Sequence, residues 1–198
     1  MSDCRVFKSS TVAITLSMIE SYMVAESLKY SLHDGYLRTS FATDLYRDQD
    51  GDSSVFIIAR LRRTEYFKLM APSLYHYPPD GGNTAEVFRT LLGVCWRSKL
   101  IKYEYDERDG EIRAIVEFPL EDASMSSKQF LRCLHGLVQI IDEYHEAIAT
   151  AISGREASLD EAEEAADNVR KADRILRAAG VDRSKSSANS GGIIRFEE

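Results

Sequence analysis

The sequence predicts an α+β domain with a twisted, mainly antiparallel five-stranded sheet, and three observations carry that prediction. Residues 103–120, YEYDERDGEIRAIVEFPL, place alternating apolar residues on both sides of a turn and read as a β-hairpin. Val55, Ile57, Ala59 and Leu61 alternate in the same way upstream. The stretches on either side of the hairpin instead carry apolar residues at steps of three and four, which is the period of an amphipathic helix.

Taken in order, the first ten or so residues show no clear period. Ser17 with Glu20 has the form of a capping box, and Ile19, Tyr22 and Met23 mark a face after it, so a helix is expected at about 17–28. Leu28, Tyr30 and Leu32 fit either the end of that helix or the start of an extended segment, and Gly35 closes the stretch. From Tyr36 to Tyr46, Leu37, Phe41 and Leu45 with Thr39 and Thr43 between them indicate a strand with one face in the core. Val55–Leu61 has apolar residues on both faces, as expected of a central strand covered on each side. Tyr66, Phe67, Leu69 and Met70 form a third strand of the same meander.

Residues 74–82, with Pro78, Pro79, Gly81 and Gly82, read as a loop. Asn83 is placed as the N-cap of a helix at 84–97, whose stripe is Val87, Phe88, Leu91, Leu92 and Cys95. In the hairpin that follows, Asp106–Gly110 supplies turn residues, with Gly110 free to take a positive φ, and Pro119 ends the second arm because it has no N–H to donate. Ser126 and Gln129 form a second capping box, and Phe130, Leu134, Leu137, Ile141, Tyr144, Ile148 and Ala151 predict one long helix over 126–153, ended by Gly154.

Composition then changes. Acids at Glu156, Asp160, Glu161, Glu163, Glu164 and Asp167 precede bases at Arg170, Lys171, Arg174 and Arg177, an order that suits the dipole of a helix at about 157–179. Its apolar stripe is thin, so it is expected to pack lightly or project. Residues 181–192 have the composition of a flexible tail, with an apolar patch, Ile193, Ile194 and Phe196, after it. The organisation expected is a core domain over 1–154, a charged helix over 155–180 and a tail over 181–198.

The order helix, three strands, helix, two strands, helix is that of the class I type III secretion chaperone fold. The sequence also resembles the YbjN-like domain family, in DERDGEIRAIVEFPLED over 106–122 and in QFLRCLHGLVQIIDEYHEAI over 129–148. The resemblance implies a small protein-binding module, often dimeric, with no catalytic centre. It leaves the C-terminal helix and tail without a counterpart.

Charge narrows the range of partners. With 25 basic and 32 acidic residues the formal net charge is −7, which repels a phosphate backbone or an anionic membrane. No segment approaches the ~20 apolar residues that span a bilayer. Arg5 and Lys8 before Val12–Ile19 imitate a signal peptide, but Thr15, Ser17 and Glu20 interrupt the run and no small-x-small site follows. Cys4, Cys95 and Cys133 are widely spaced and odd in number, which suits a reducing cytoplasm rather than a disulfide framework.

Candidate chemistry is sparse. Asp48, Asp50 and Asp52 have the spacing of a calcium loop, yet Ser53 stands where that loop needs glycine and Ala59 where it needs a bidentate glutamate. Asp142, Glu143, His145 and Glu146 could offer metal ligands, but no second segment completes the set. His33, His76 and His135 are isolated, and nucleotide-binding and nucleophile-elbow motifs do not occur. The sequence therefore predicts no catalytic residue, no metal site and no cofactor. It predicts a cytoplasmic homodimer that binds protein partners, with no nucleic acid and no membrane among its targets. Trp96, Tyr103, Tyr105, Tyr75, Tyr77, Ile193, Ile194 and Phe196 are its candidate contact residues, because aromatic side chains give large contact area at small entropic cost. A regulatory adaptor acting through the C-terminal helix and tail is the alternative, and a metal-dependent enzyme using the group from Asp142 to Glu146 is the least favoured reading.

Overall fold

The computed structural model describes residues 13–62, 66–121 and 123–179. Helix α1 (Leu16–Ala25) leads into strands β1 (Tyr30–His33), β2 (Tyr36–Ala42), β3 (Ser54–Arg62) and β4 (Tyr66–His76). Helix α2 (Thr84–Arg97), strands β5 (Lys102–Tyr105) and β6 (Glu111–Pro119), and helices α3 (Ser127–Glu143), α4 (His145–Ile152) and α5 (Leu159–Ala178) complete the chain. The strands form one antiparallel sheet in the order β1-β2-β3-β4-β6-β5. The sheet thus has six strands, not the five expected. The ambiguous stretch after α1 is extended, because Ser27 takes a positive φ that breaks the helix and the Thr39 hydroxyl then donates to Lys29 O at 2.7 Å, holding β1 against β2.

Pleating sorts the strands into two faces. Leu37, Val55, Ile57, Ala59, Phe67, Leu69, Ile112, Ala114 and Val116 all point to one face and are buried. The helices cover that face, with Phe130, Leu134, Leu137 and Ile141 of α3 and Ile19 and Met23 of α1 completing the core. The opposite face is open. Residue 56 is a phenylalanine 39% exposed and Tyr66 is 44% exposed, so β3 is covered on one side and not on both. What keeps Phe56 there is Arg38, whose guanidinium sits 4.3 Å from its ring centroid.

Several local devices differ from expectation. Thr15 rather than Ser17 caps α1, its hydroxyl accepting from Met18 N at 3.2 Å. Strand β2 stops at Ala42, and Leu45 and Tyr46 belong to a loop. Strand β4 runs through Pro72–Leu74 by a bulge between Ala71 and Tyr75, where Glu111 Oε1 accepts from Ser73 N at 2.8 Å. The loop expected from residue 74 therefore begins only after His76. Asn83 stands at the N-cap of α2 without capping it, and its side-chain amide donates instead to Ala151 O of α4 at 2.9 Å. The expected long helix is kinked at Tyr144 into α3 and α4, although Tyr144 N still donates to Ile140 O and Ile148 N to Tyr144 O across the kink. The Ser126–Gln129 capping box and the Gly154 stop form as read.

Helix α5 is packed, not projecting. Ala162 and Ala166 are buried, Arg97 bridges to Asp160 and Glu163 at 2.8 Å, and Arg170 bridges to Glu143 at 2.9 Å. Leu159 lies against Gly93 of α2, where a Cβ would meet its side chain.

The hairpin turn gives the first prediction. Gly110 has φ +78°, accepts from Tyr77 N at 2.9 Å, and would drive a Cβ into the Tyr77 carbonyl. Gly110→Ala is expected to cost ~2 kcal/mol or more, since left-handed backbone alone costs an L-residue ~1–2 kcal/mol. Denaturant titration of the variant checks it.

Candidate functional site

The polar groups singled out in the sequence are dispersed by the fold into structural positions. Asp142 Oδ1 accepts from Leu45 N and Tyr46 N, both at 2.8 Å, and so pins the β2–β3 loop to α3. Glu143 pairs with Arg170. His145 is buried, shares a 3.1 Å hydrogen bond between Nδ1 and the Tyr75 hydroxyl, and packs on the rings of Tyr75 and Tyr46. Asp48 closes its own loop by accepting from Asp50 N at 3.0 Å and Asp52 N at 2.8 Å. In the hairpin, Asp106 accepts from Arg108, whose guanidinium holds its carboxyl well below the usual carboxylate range. Among the described residues no group of three or more His, Cys, Asp or Glu side chains is placed to hold a metal. None of the described helices is long and apolar enough to cross a membrane.

The aromatic candidates divide. Tyr75 and Tyr77 lie in the core, Tyr75 on His145 and Tyr77 with its hydroxyl accepting from Asn83 N at 2.7 Å, so they are inaccessible to a partner in this conformation. Tyr103 points inward, its hydroxyl buried without a hydrogen-bond partner among the described residues. Tyr105 is half-buried and packs on Phe88 of α2 with ring centroids 5.1 Å apart. Ile193, Ile194 and Phe196 lie outside the described residues.

Trp96 is the exception: it is 90% exposed on α2. It does not stand alone. Leu92, one turn earlier, is 69% exposed, and Leu100, just past the helix, is 54% exposed. Phe88, Leu92 and Trp96 stand at four-residue spacing along one side of α2, and Leu100 follows the helix end, beyond the extended backbone of Ser98. The sequence reading assigned Leu92 to the buried stripe of this helix. The stripe as read, Val87 to Cys95, was broader than the face one sheet can cover, and Val87, Thr90, Leu91 and Val94 are the residues that α2 buries. The surplus on the helix is the row Phe88, Leu92 and Trp96.

The row runs beside β5, an edge strand. That edge is partly closed, because Tyr103 N donates to Cys95 Sγ at 3.3 Å and so spends an amide that would otherwise offer itself to an incoming strand. The apolar row is thus exposed beside a partly closed edge. A shallow cleft of about 660 Å³ adjoins it, lined by Phe88, Tyr105 and the charged hairpin residues Glu104, Asp106, Glu107, Arg108 and Arg113.

No family model matches the chain, and no curated protein matches it. Among solved structures, it is similar to the crystal structure of YbjN from E. coli, a proposed transcription regulator. The two are 12% identical, the match covers 69% of this chain and 96% of that one, and the TM-score is 0.48.

The buried histidine carries a pH prediction. Burial pushes the His145 pKa down from its ordinary value, outweighing the opposing effect of nearby Glu146 and Asp142, while Arg47 adds to the depression. The unfolded chain therefore binds a proton that the folded chain refuses, so stability is full above the unfolded value of about 6.5 and falls as pH drops below it. His145→Gln is expected to flatten the melting-temperature profile between about pH 7 and 5, a range above that in which ordinary carboxylates titrate. An unchanged slope in thermal melts across that range would refute the assignment.

Proposed function

We propose that this chain is a non-enzymatic, cytoplasmic protein-binding module, chaperone-like or adaptor in kind, that pairs with a second copy of itself through the α2 row. The observation that carries the reading is the exposure of Leu92 and Trp96, one turn apart on α2, with Leu100 exposed just past the end of the helix. Contiguous apolar side chains of that size are costly to leave in water and mark contact sites. A row spaced by four residues is also the ridge that packs against its own copy in the commonest helix–helix crossing, near −50°. An isologous pair of this kind needs a single patch on each protomer.

The resemblance of residues 106–122 and 129–148 to the YbjN-like family supports a small dimeric binding module, while the four strands between α1 and α2 depart from the three-strand order expected of the type III secretion chaperones. The non-enzymatic reading is supported by the structural roles of several acids and one histidine: Asp142, Glu143, His145, Asp48 and Asp106 serve loops, helices or ion pairs. A second reading, an adaptor acting through α5 and the residues beyond it, is favoured by Ile175, exposed on the outer half of that helix. The protein bound by the assembled module is identified by neither reading.

The double variant Leu92→Glu/Trp96→Glu tests the pairing. Wild type is expected to elute with the mass of two chains in light scattering at tens of micromolar, and the variant with the mass of one. Because both side chains are exposed, melting temperature should shift by no more than the loss of the dimer contributes. A wild-type monomer throughout that range would overturn the proposal.

A further inference from the structure

The open face of the sheet carries a second surface, on the side away from α2. Strand register places Arg60 of β3, Lys68 of β4 and Glu117 of β6 in one row, with Arg62 and Tyr66 beside it. Together they line a cleft of about 400 Å³. The next row is apolar, Ile58, Met70 and Ile115, and ends at Arg38 on β2. On the far side, Arg113 bonds Glu104 at 2.8 Å and Lys68 comes within 3.9 Å of the same carboxylate. Arg60 and Arg62 are exposed and make no ion pair among the described residues. A chain of net charge −7 thus gathers, on one face, two exposed guanidinium groups without an ion pair among the described residues.

We propose that this face docks an acidic, extended protein segment. Arg60 and Arg62 stand two residues apart on one strand, which separates them by roughly 7 Å. Carboxylates at alternate positions of an extended partner repeat at the same interval, so each guanidinium can take one carboxylate as a charge-assisted, bidentate pair. Lys68 adds a third cation at the neighbouring strand. Residues of the partner that face the sheet between its acids meet Tyr66, Met70 and Ile58, with Ile115 buried beneath them. Nucleic acid fits less well. The ring of Phe56 lies under the Arg38 guanidinium, where a base would have to stack, whereas Glu117 and the net charge oppose phosphate and carboxylate alike.

The surface is independent of the α2 row, and the test keeps the two apart. Fluorescence anisotropy would follow a labelled peptide of alternating glutamate and threonine added to the full chain, with a lysine-for-glutamate peptide and a short single-stranded oligonucleotide as comparisons. Wild type is expected to bind the acidic peptide with an affinity that falls as salt rises, and not to bind the lysine peptide. Arg60→Glu/Arg62→Glu should weaken binding at least tenfold, Arg60→Gln/Arg62→Gln by less, and Leu92→Glu/Trp96→Glu should bind as wild type. Matching far-ultraviolet dichroism and melting temperatures would show that the variants are folded. Binding unaffected by Arg60→Glu/Arg62→Glu, absence of acidic-peptide binding, or tighter binding of the oligonucleotide would overturn the proposal.

Discussion

One-sided burial of the sheet is the constraint on which the rest of the structure depends. Strands β3, β4 and β6 are its centre, and on one face Ile57, Ala59, Phe67, Leu69, Ala114 and Val116 are sealed under the helix layer. Burying a large apolar side chain contributes ~1.5–3 kcal/mol, so a core of this size commits every helix to the same side of the sheet. The other side is more open, with Phe56 and Tyr66 partly exposed, although Ile115 is buried there. That asymmetry sets α2 at one flank with more apolar surface than it can bury, and leaves the back of the sheet to carry charge.

Polar side chains serve this arrangement. Asp142 and Asn83 tie loops and helix ends to neighbouring helices, and Glu163 joins Tyr144, whose hydroxyl donates to it at 2.5 Å, with Arg97, so α5 is fastened at the kink between α3 and α4. His145 fills an aromatic niche. Groups that in isolation resemble catalytic or metal-binding sets thus have their hydrogen bonds assigned. The α2 row and the back of the sheet are surfaces among the described residues that the core does not need.

Much of the fold was legible in the sequence, for reasons that are local. The hairpin announces itself through Gly110 and alternation, and α3 through its capping box and apolar row, because turn geometry, capping and periodicity act within a few residues. What escaped depends on tertiary packing. β1 is extended because β2 pairs with it, the bulge after Ala71 carries β4 past Pro72, and β3 loses its second cover because no helix crosses the back of the sheet. The contact surface was half legible. Trp96 was flagged by residue type, whereas Leu92 and Leu100 emerge only once burial shows which apolar residues α2 leaves over, and the buried Tyr75 and Tyr77 show the limits of residue type as a guide. The basic back face had a signal in Arg60 and Arg62 alternating with Ala59 and Leu61, and it was obscured by the net negative charge.

The central claim, that the α2 row is a protein contact and not a tolerated exposure, can be read directly because Trp96 is the one tryptophan in the chain. Its emission reports that single position. Dilution through the micromolar range, with iodide quenching at each concentration, should move the emission from blue-shifted and protected to red-shifted and freely quenched as the pair separates. A tryptophan equally red and equally quenchable at all concentrations, with and without candidate partners, would contradict the account.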